Sequence, residues 1–139
     1  MDSIRRMLLA APLLVATLAV SQEEIDVKPA MGVAEAWLAG LDAGRYGQGW
    51  EEAAPLFREA MPKVQWQTTM ESVRVPLGTP LHRKLRQAFY TRSLPNAPAG
   101  EYVVIQYDTR FEHRPLSTEI VTPMKEADGT WKVSGYIIR

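Results

Sequence analysis

Residues 102–112 read YVVIQYDTRFE, and along this stretch apolar and polar side chains alternate. The apolar set is Val103, Ile105, Tyr107 and Phe111, and the polar set is Gln106, Asp108, Arg110 and Glu112. A period of two residues is typical of a β-strand with one buried face and one face in water. The stretch therefore predicts a strand of an antiparallel sheet that is covered on one side only.

Three further stretches, at residues 81–92, 116–125 and 131–139, predict strands that pair with this one. Asp128-Gly129 lies between the last two, and this dipeptide is a strong hairpin signal. We expect each of the last two strands to place a set of side chains on one side: Thr118, Ile120, Thr122 and Met124 on the third strand, and Trp131, Val133 and Ile137 on the fourth. Pro123 predicts either an edge strand or a bulge.

The first half of the chain has a helical period instead. A first helix is predicted from Val33, a second over residues 51–60, and a third after Pro62. The third helix should bury Trp66, Met70 and Val73, and end near residue 74 because Pro76 disfavours helix before it. Together the elements predict an α+β fold in which N-terminal helices pack on a curved, mainly four-stranded antiparallel sheet. One sheet face is expected to lie against the first and third helices.

The N-terminus predicts an export signal. Arg5 and Arg6 precede an uncharged and mostly apolar stretch at residues 7–20, which is too short to span a bilayer comfortably. Small residues favour cleavage after Ser21, with cleavage after Ala19 as the alternative, and an uncleaved membrane anchor is the competing interpretation. The predicted organisation is a signal peptide at 1–21, a flexible mature N-terminus at 22–32 and a single α+β domain at 33–139. We expect an exported protein, periplasmic or secreted, with no membrane span after cleavage.

Composition excludes several classes of function. The chain has 139 residues, with 16 basic and 16 acidic side chains and no cysteine. One domain is expected at this length. A nucleic-acid partner is not expected, because such proteins usually carry an excess of basic residues. The absence of cysteine removes disulfides, thiolate metal sites and cysteine nucleophiles.

Metal-dependent and nucleophilic chemistry have little support in the sequence. The two histidines are His82 and His113, and there is no HExxH or GxSxG motif, so we predict neither a metal site nor a cofactor. A Ser–His pair formed only in space stays open. General acid–base chemistry is the most credible enzyme alternative, with Asp42, Asp108, Glu119, His82, Tyr107 and Tyr136 as candidates. A structural role is the simpler interpretation for most of them.

Residues 82–92 carry the one local excess of charge, with five basic side chains: His82, Arg83, Lys84, Arg86 and Arg92. On a strand, Arg83 points to the opposite face from the others. His82, Lys84 and Arg86 are therefore candidates for contact with an anion, such as a phosphate, a carboxylate or an acidic partner. The simpler interpretation, which we favour, is that these charges protect an edge strand from aggregation.

A second set of candidates would line a small-ligand pocket: Tyr107, Thr109, Thr118, Thr122 and Asp42. The threonines share faces with apolar strand residues, where several hydroxyl groups could form the polar floor of a pocket. The alternative is that local hydrogen bonds satisfy the threonines, that Tyr107 belongs to the core and that Asp42 ends a helix.

Several blocks of the sequence together resemble a known family. They are AWL at 36–38, DAGRY at 42–46, GWEEAAPLFR at 49–58, RVPLG at 74–78, SLP at 93–95, GEYVVI at 100–105, VTPM at 121–124 and DGTWKVSGY at 128–136. In this order they resemble the bacterial family catalogued as domain of unknown function 4019, over residues 33–139. Gly49 is a departure, since serine is expected there. The resemblance implies an exported protein, mostly of Gram-negative bacteria, and no assigned activity.

The predicted element order is also similar to the nuclear transport factor 2-like and cystatin-like folds, which host enzymes, binders and dimerisation modules. The resulting expectation is a non-enzymatic domain that binds an unidentified small molecule or an envelope protein. A small acid–base pocket enzyme, isomerase-like or hydrolase-like, is one alternative. An envelope dimerisation module, forming a homodimer through its exposed sheet face, is the other.

Overall fold

The structure is a computed structural model that describes residues 11–14 and 25–139. Within this part of the chain the helices are α1 (Lys28–Asp42), α2 (Tyr46–Glu52), α3 (Pro55–Ala60) and α4 (Lys63–Leu77). The strands are β1 (Pro80–Thr91), β2 (Tyr102–Phe111), β3 (Arg114–Lys125) and β4 (Trp131–Ile138). The predicted signal peptide lies outside the described residues except for 11–14. No helix among the described residues has the length and apolar character needed to cross a membrane.

The strands form one antiparallel meander in the order β1-β2-β3-β4. α1 packs against β2, β3 and β4, and α3 packs against β4, so one face of the curved sheet is covered by helices. We call this the helix-covered face and the opposite one the outer face. The prediction of an α+β fold with helices on a curved four-stranded antiparallel sheet is confirmed. The similarity to nuclear transport factor 2-like folds stays a prediction.

Aromatic side chains form the centre of the core. The ring of Trp66 lies 4.9 Å from that of Phe57 and 5.8 Å from that of Trp37, between centroids. Each indole N–H that enters the core also needs an acceptor. The Trp37 N–H donates to the Gly49 carbonyl at 2.8 Å, and the Trp66 N–H donates to the Tyr46 carbonyl at 2.8 Å. These bonds fix α1 and α4 to α2 as well as packing them.

The helices differ from their predicted limits for local reasons. α1 begins at Lys28, with Pro29 in its first turn, so residues 28–32, predicted to be flexible, are helical. The helix predicted over residues 51–60 is divided between α2 and α3. Ala53 and Ala54 are extended there, and the Ala54 N–H donates to the Val133 carbonyl of β4 at 2.8 Å. Pro55, at the start of α3, cannot continue the preceding helix but suits a first turn.

The buried stripe of α4 contains a charged side chain that was not predicted to be buried. Trp66 and Met70 are buried as expected, but Val73 is 38% exposed and Arg74 is only 4% exposed. α4 also continues through Pro76 to Leu77, and ends at Gly78, whose φ of 79° lies in the left-handed region. α4 packs on α2 rather than lying along the sheet. Through Arg74 it reaches the sheet residue Tyr136, at 3.3 Å.

Pro123 marks a bulge and not an edge. β3 is an interior strand, and the register of β3 with β4 shifts between Thr122 and Pro123. One extra residue in β4 exchanges the two faces after that point. Val133 therefore faces the helices and so does Tyr136, whereas Ile137 lies on the outer face and is exposed. The prediction that Ile137 shares a side with Trp131 and Val133 is wrong for this reason.

Candidate functional site

Six polar side chains meet between the helices and the sheet, and we call this group the ion cluster. Its members are Asp42 of α1, Arg74 of α4, Arg83 of β1, Thr109 of β2, Glu119 of β3 and Tyr136 of β4. Two guanidinium groups face two carboxylates, so the formal charges balance. The cluster joins two helices to all the strands of the sheet.

Glu119 is the most deeply placed member, with a side chain that is 0% exposed. Its Oε1 accepts hydrogen bonds from the Arg83 Nε at 2.7 Å and from the Thr109 hydroxyl at 2.5 Å. Its Oε2 accepts one from the Tyr136 hydroxyl. A buried carboxylate is tolerated only when such donors replace the lost water. Both oxygens of Glu119 are therefore occupied within the protein.

Asp42 is the second carboxylate and lies nearer to the surface. Its Oδ1 accepts from the Arg74 Nη2 at 2.5 Å, and its two oxygens accept from the Arg83 Nη1 and Nη2 at 2.8 and 3.0 Å. Burial by itself would raise the pKa of Asp42, but the hydrogen bonds and charges of Arg83 and Arg74 outweigh it and hold the pKa below its ordinary value. Asp42 and Arg74 also line a surface cleft of about 340 Å³.

The same forces fix the protonation of Tyr136 and Arg83. Burial, followed by the charge of Glu119, raises the pKa of the Tyr136 hydroxyl far above its ordinary value of 10.0. Burial would lower the pKa of Arg83, yet its bonds to Asp42 and Glu119 raise it. Tyr136 therefore keeps its proton and Arg83 keeps its charge. The cluster is a set of satisfied pairs at neutral pH.

The predicted pocket residues are divided by the sheet. Asp42 and Thr109 belong to the ion cluster, and Tyr107 lies on the same helix-covered face. Thr118 and Thr122 lie on the outer face, since they alternate with the buried Glu119 and Val121. The five residues thus cannot line one pocket. The alternation of β3 was predicted correctly, but the set that contains Thr118 and Thr122 lies on the outer face and the alternate set is buried.

The hydroxyl of Tyr107 is the unusual feature of the helix-covered face. It is buried and has no hydrogen-bond partner among the described residues. Burial raises the pKa of this hydroxyl, and the nearby charge of Glu35 raises it further. The ring belongs to the hydrophobic core, as the simpler interpretation had it.

The outer face carries a groove of about 430 Å³ over β1, β2 and β3, which we call the basic groove. Its lining includes His82, Lys84, Asp108, Arg110, Leu116 and Thr118. His82 lies directly opposite Arg110 in the β1–β2 pair. Asp108 already pairs with Arg86, with 3.5 Å between Nη1 and Oδ1. Two of the three predicted anion-contact residues, His82 and Lys84, therefore lie in one groove with Thr118. The third, Arg86, pairs with Asp108.

Residues 33–136 match the family model described as "Protein of unknown function (DUF4019)". The chain belongs to this family. The match extends over well more than half of the chain and contains the whole ion cluster and the residues of the basic groove. None of the curated proteins compared with this DUF4019 protein matches it. Within residues 11–14 and 25–139, no group of three or more histidine and acidic side chains is placed to hold a metal ion.

Arg74 and Arg110 were not among the candidates. Arg74 follows Trp66 and Met70 at helical spacing, so its place on an apolar stripe was a signal of burial. Arg110 was predicted correctly to lie on the polar face of β2, but nothing in the sequence shows that His82 lies opposite it. Glu119 and Tyr136 were acid–base candidates by residue type alone, and their contact depends on the bulge in β4.

The substitution Glu119→Gln should be strongly destabilising. It removes the charge that Arg83, Thr109 and Tyr136 satisfy, and loss of one partner of a buried pair typically costs about 3–5 kcal/mol. Urea unfolding followed by tryptophan fluorescence measures this loss. Glu51→Gln is the matched control, because Glu51 pairs with Lys63 at the surface with side chains 57% and 38% exposed, and such pairs are worth at most about 1 kcal/mol. Equal losses in the two variants would contradict the structural role of the cluster.

Asp42 should make stability depend on acid pH. Its folded pKa lies below the unfolded value of about 3.9, so its contribution is fully present above that value and is lost as pH falls through the folded pKa. Asp42→Asn should therefore be less stable than the original protein at pH 7, and the difference should shrink below about pH 4. The free energy of unfolding in urea at pH 7, 5, 4 and 3 tests this. A constant difference across that range would refute it.

Proposed function

We propose that this DUF4019 protein is an exported binding domain that takes an anionic ligand in the basic groove and has no catalytic activity of its own. The observation that carries the proposal is the state of the cations in that groove. Lys84 and Arg110 have no carboxylate within 4.0 Å among the described residues, and the one carboxylate in the lining, Asp108, is engaged by Arg86. Asp108 lies opposite Lys84 and supplies one negative charge, so the lining keeps a net positive charge from Lys84 and Arg110, which favours an anion.

The arrangement of the groove supports binding of a compact oxyanion or a carboxylate. Arg110 offers a planar fork of donors, Lys84 a mobile ammonium group, and Thr118 a hydroxyl on the floor. His82 lies directly opposite Arg110, so its ring places a further hydrogen-bonding group beside the Arg110 guanidinium. Together these groups can donate several hydrogen bonds to one anion.

The ion cluster supports the absence of catalysis. Glu119 would be the natural general base, but a general base must reach the proton that it removes. Both of its oxygens accept bonds from protein donors, and Glu119 lines neither the basic groove nor the cleft beside Asp42. The acid–base enzyme is the weaker alternative for this reason. Turnover of a substrate that is abolished by Glu119→Gln in a variant that stays folded would favour it.

Export rests on the sequence of residues 5–21. Expressed in full length in a Gram-negative host, the protein should appear in the periplasmic fraction with a mass lower by residues 1–21, or by residues 1–19 if cleavage follows Ala19. Cell fractionation and intact mass spectrometry measure both. The double substitution Leu13→Lys and Leu14→Lys should block export, because two charges would interrupt the apolar stretch at residues 7–20. A full-length mass in the cytoplasm or in the membrane fraction would exclude the proposal.

Anion binding is tested with citrate and inorganic phosphate as probes. Titration should shift the amide resonances of residues 82–84, 108–110 and 116–118. Arg110→Gln should weaken binding about tenfold or more, since a hydrogen bond to a charged group is worth about 1.5–3 kcal/mol. Lys28→Gln, at the start of α1 and far along the chain from the groove, should leave the affinity unchanged. If neither probe shifts these resonances, or if both variants weaken binding equally, the groove is not an anion site.

A further inference from the structure

β1 has a free edge. It lies at the end of the sheet and, among the described strands, pairs with β2 alone. An edge strand presents the backbone N–H and C=O groups that its neighbour does not use, and an extended polypeptide can add to them as a further strand. β1 is 12 residues long, as long as the interior strand β3, so the edge is not a short one.

The charge of this edge is of one sign. No aspartate or glutamate occurs from residue 72 to residue 100, and within β1 the basic residues are His82, Arg83, Lys84 and Arg86. Arg83 is used by the ion cluster. His82, Lys84 and Arg86 remain on the outer face, the first two within the basic groove. A strand that adds to β1 would place alternate side chains beside these cations.

Apolar side chains on β1 are also uncovered. Leu81, Leu85 and Phe89 are all exposed, although each is large. Leu85 lies opposite Tyr107 and so points to the helix-covered face, whereas Phe89 lies opposite Val104 on the outer face. The edge therefore offers apolar contacts on both sides of an added strand.

We infer that the free edge of β1 docks an extended acidic segment of a partner polypeptide, which adds to the sheet as a fifth strand. The inference rests on the proposed function, because Lys84 and its groove supply the contact to acidic side chains, and it adds backbone pairing to that contact. A second copy of this chain is a poor occupant, since two β1 strands would bring Lys84 and Arg86 against like charges. The favoured partner alternates acidic residues, facing the groove, with apolar residues, facing Leu85.

The bulge in β1 limits how much of the edge is used. The register of β1 with β2 shifts between Leu85 and Gln87, which leaves Arg86 as the extra residue. A bulge bends its strand and interrupts regular pairing. The cationic part of the edge, residues 82–86, therefore matches a short segment, and a seven-residue peptide is long enough to cover it.

The test uses the isotope-labelled mature protein and the peptide acetyl-Glu-Val-Glu-Val-Glu-Val-Glu-amide. Two control peptides are matched to it. Replacing each valine by proline keeps the charges and their spacing but prevents strand pairing, and replacing each glutamate by lysine reverses the charge. Binding is followed by amide shifts, and hydrogen exchange shows whether amides of β1 become protected.

The valine peptide should bind, protect amides within residues 80–91, and bind at least tenfold more tightly than the proline peptide. The lysine peptide should not bind. Lys84→Glu should weaken binding of the valine peptide, because it replaces one of the cations beside the edge with an acidic side chain, and since Lys84 is exposed the variant should fold normally.

Several results would overturn strand addition. Equal affinity for the valine and proline peptides, or binding without protection of β1, would show that charge alone is recognised. In that case citrate would still bind the groove and the proposed function would stand. If citrate, phosphate and both acidic peptides all fail to bind, the proposed function and this inference fail together. Dimerisation of the protein through β1, seen by sedimentation and by β1 protection without peptide, would also overturn it.

Discussion

A carboxylate with no access to water lies at the centre of this protein. Transfer of the Glu119 charge from water to the interior is costly, and the cost is met only if donors are already in place. Arg83, Thr109 and Tyr136 provide them, and each comes from a different strand. The sheet must therefore be assembled in its full width before Glu119 is satisfied. This requirement links strand order, strand register and side-chain chemistry in one place.

The helices join the same arrangement through Asp42 and Arg74. Arg83 contacts both carboxylates, and Arg74 contacts both Asp42 and Tyr136. The ends of α1 and α4 are thereby tied to the sheet by charge, while Trp37, Phe57 and Trp66 fill the space beside them. Such a network selects one arrangement of helices on the sheet, because any other arrangement would leave a buried charge without a partner.

The two faces of the sheet use charge in opposite ways. On the helix-covered face, cations and carboxylates are paired, and their contacts lower the pKa of Asp42 and raise that of Arg83, so both keep their charges. On the outer face, Lys84 and Arg110 line a groove whose one carboxylate, Asp108, pairs with Arg86 at the surface. The first arrangement serves stability, and the second is the basis of the proposal that the groove takes an anionic ligand. Both arrangements lie within the residues that match the DUF4019 family, and the description of that family specifies no activity.

The sequence by itself determined the local elements of this protein. The strand positions, the Asp128-Gly129 turn and the α+β class followed from side-chain periods, because a period belongs to neighbouring residues and needs no long-range contact. The sequence also indicated Asp42, Thr109, Glu119 and Tyr136 as candidate site residues, by residue type. Only the tertiary structure decided that they meet. Asp42 and Arg83 are far apart in the chain, a bulge in β4 turns Tyr136 towards the helices, and Arg74 is buried because two distant partners satisfy it. Register and pairing depend on the whole sheet, and a one-residue shift reverses the faces that a local pattern assigns.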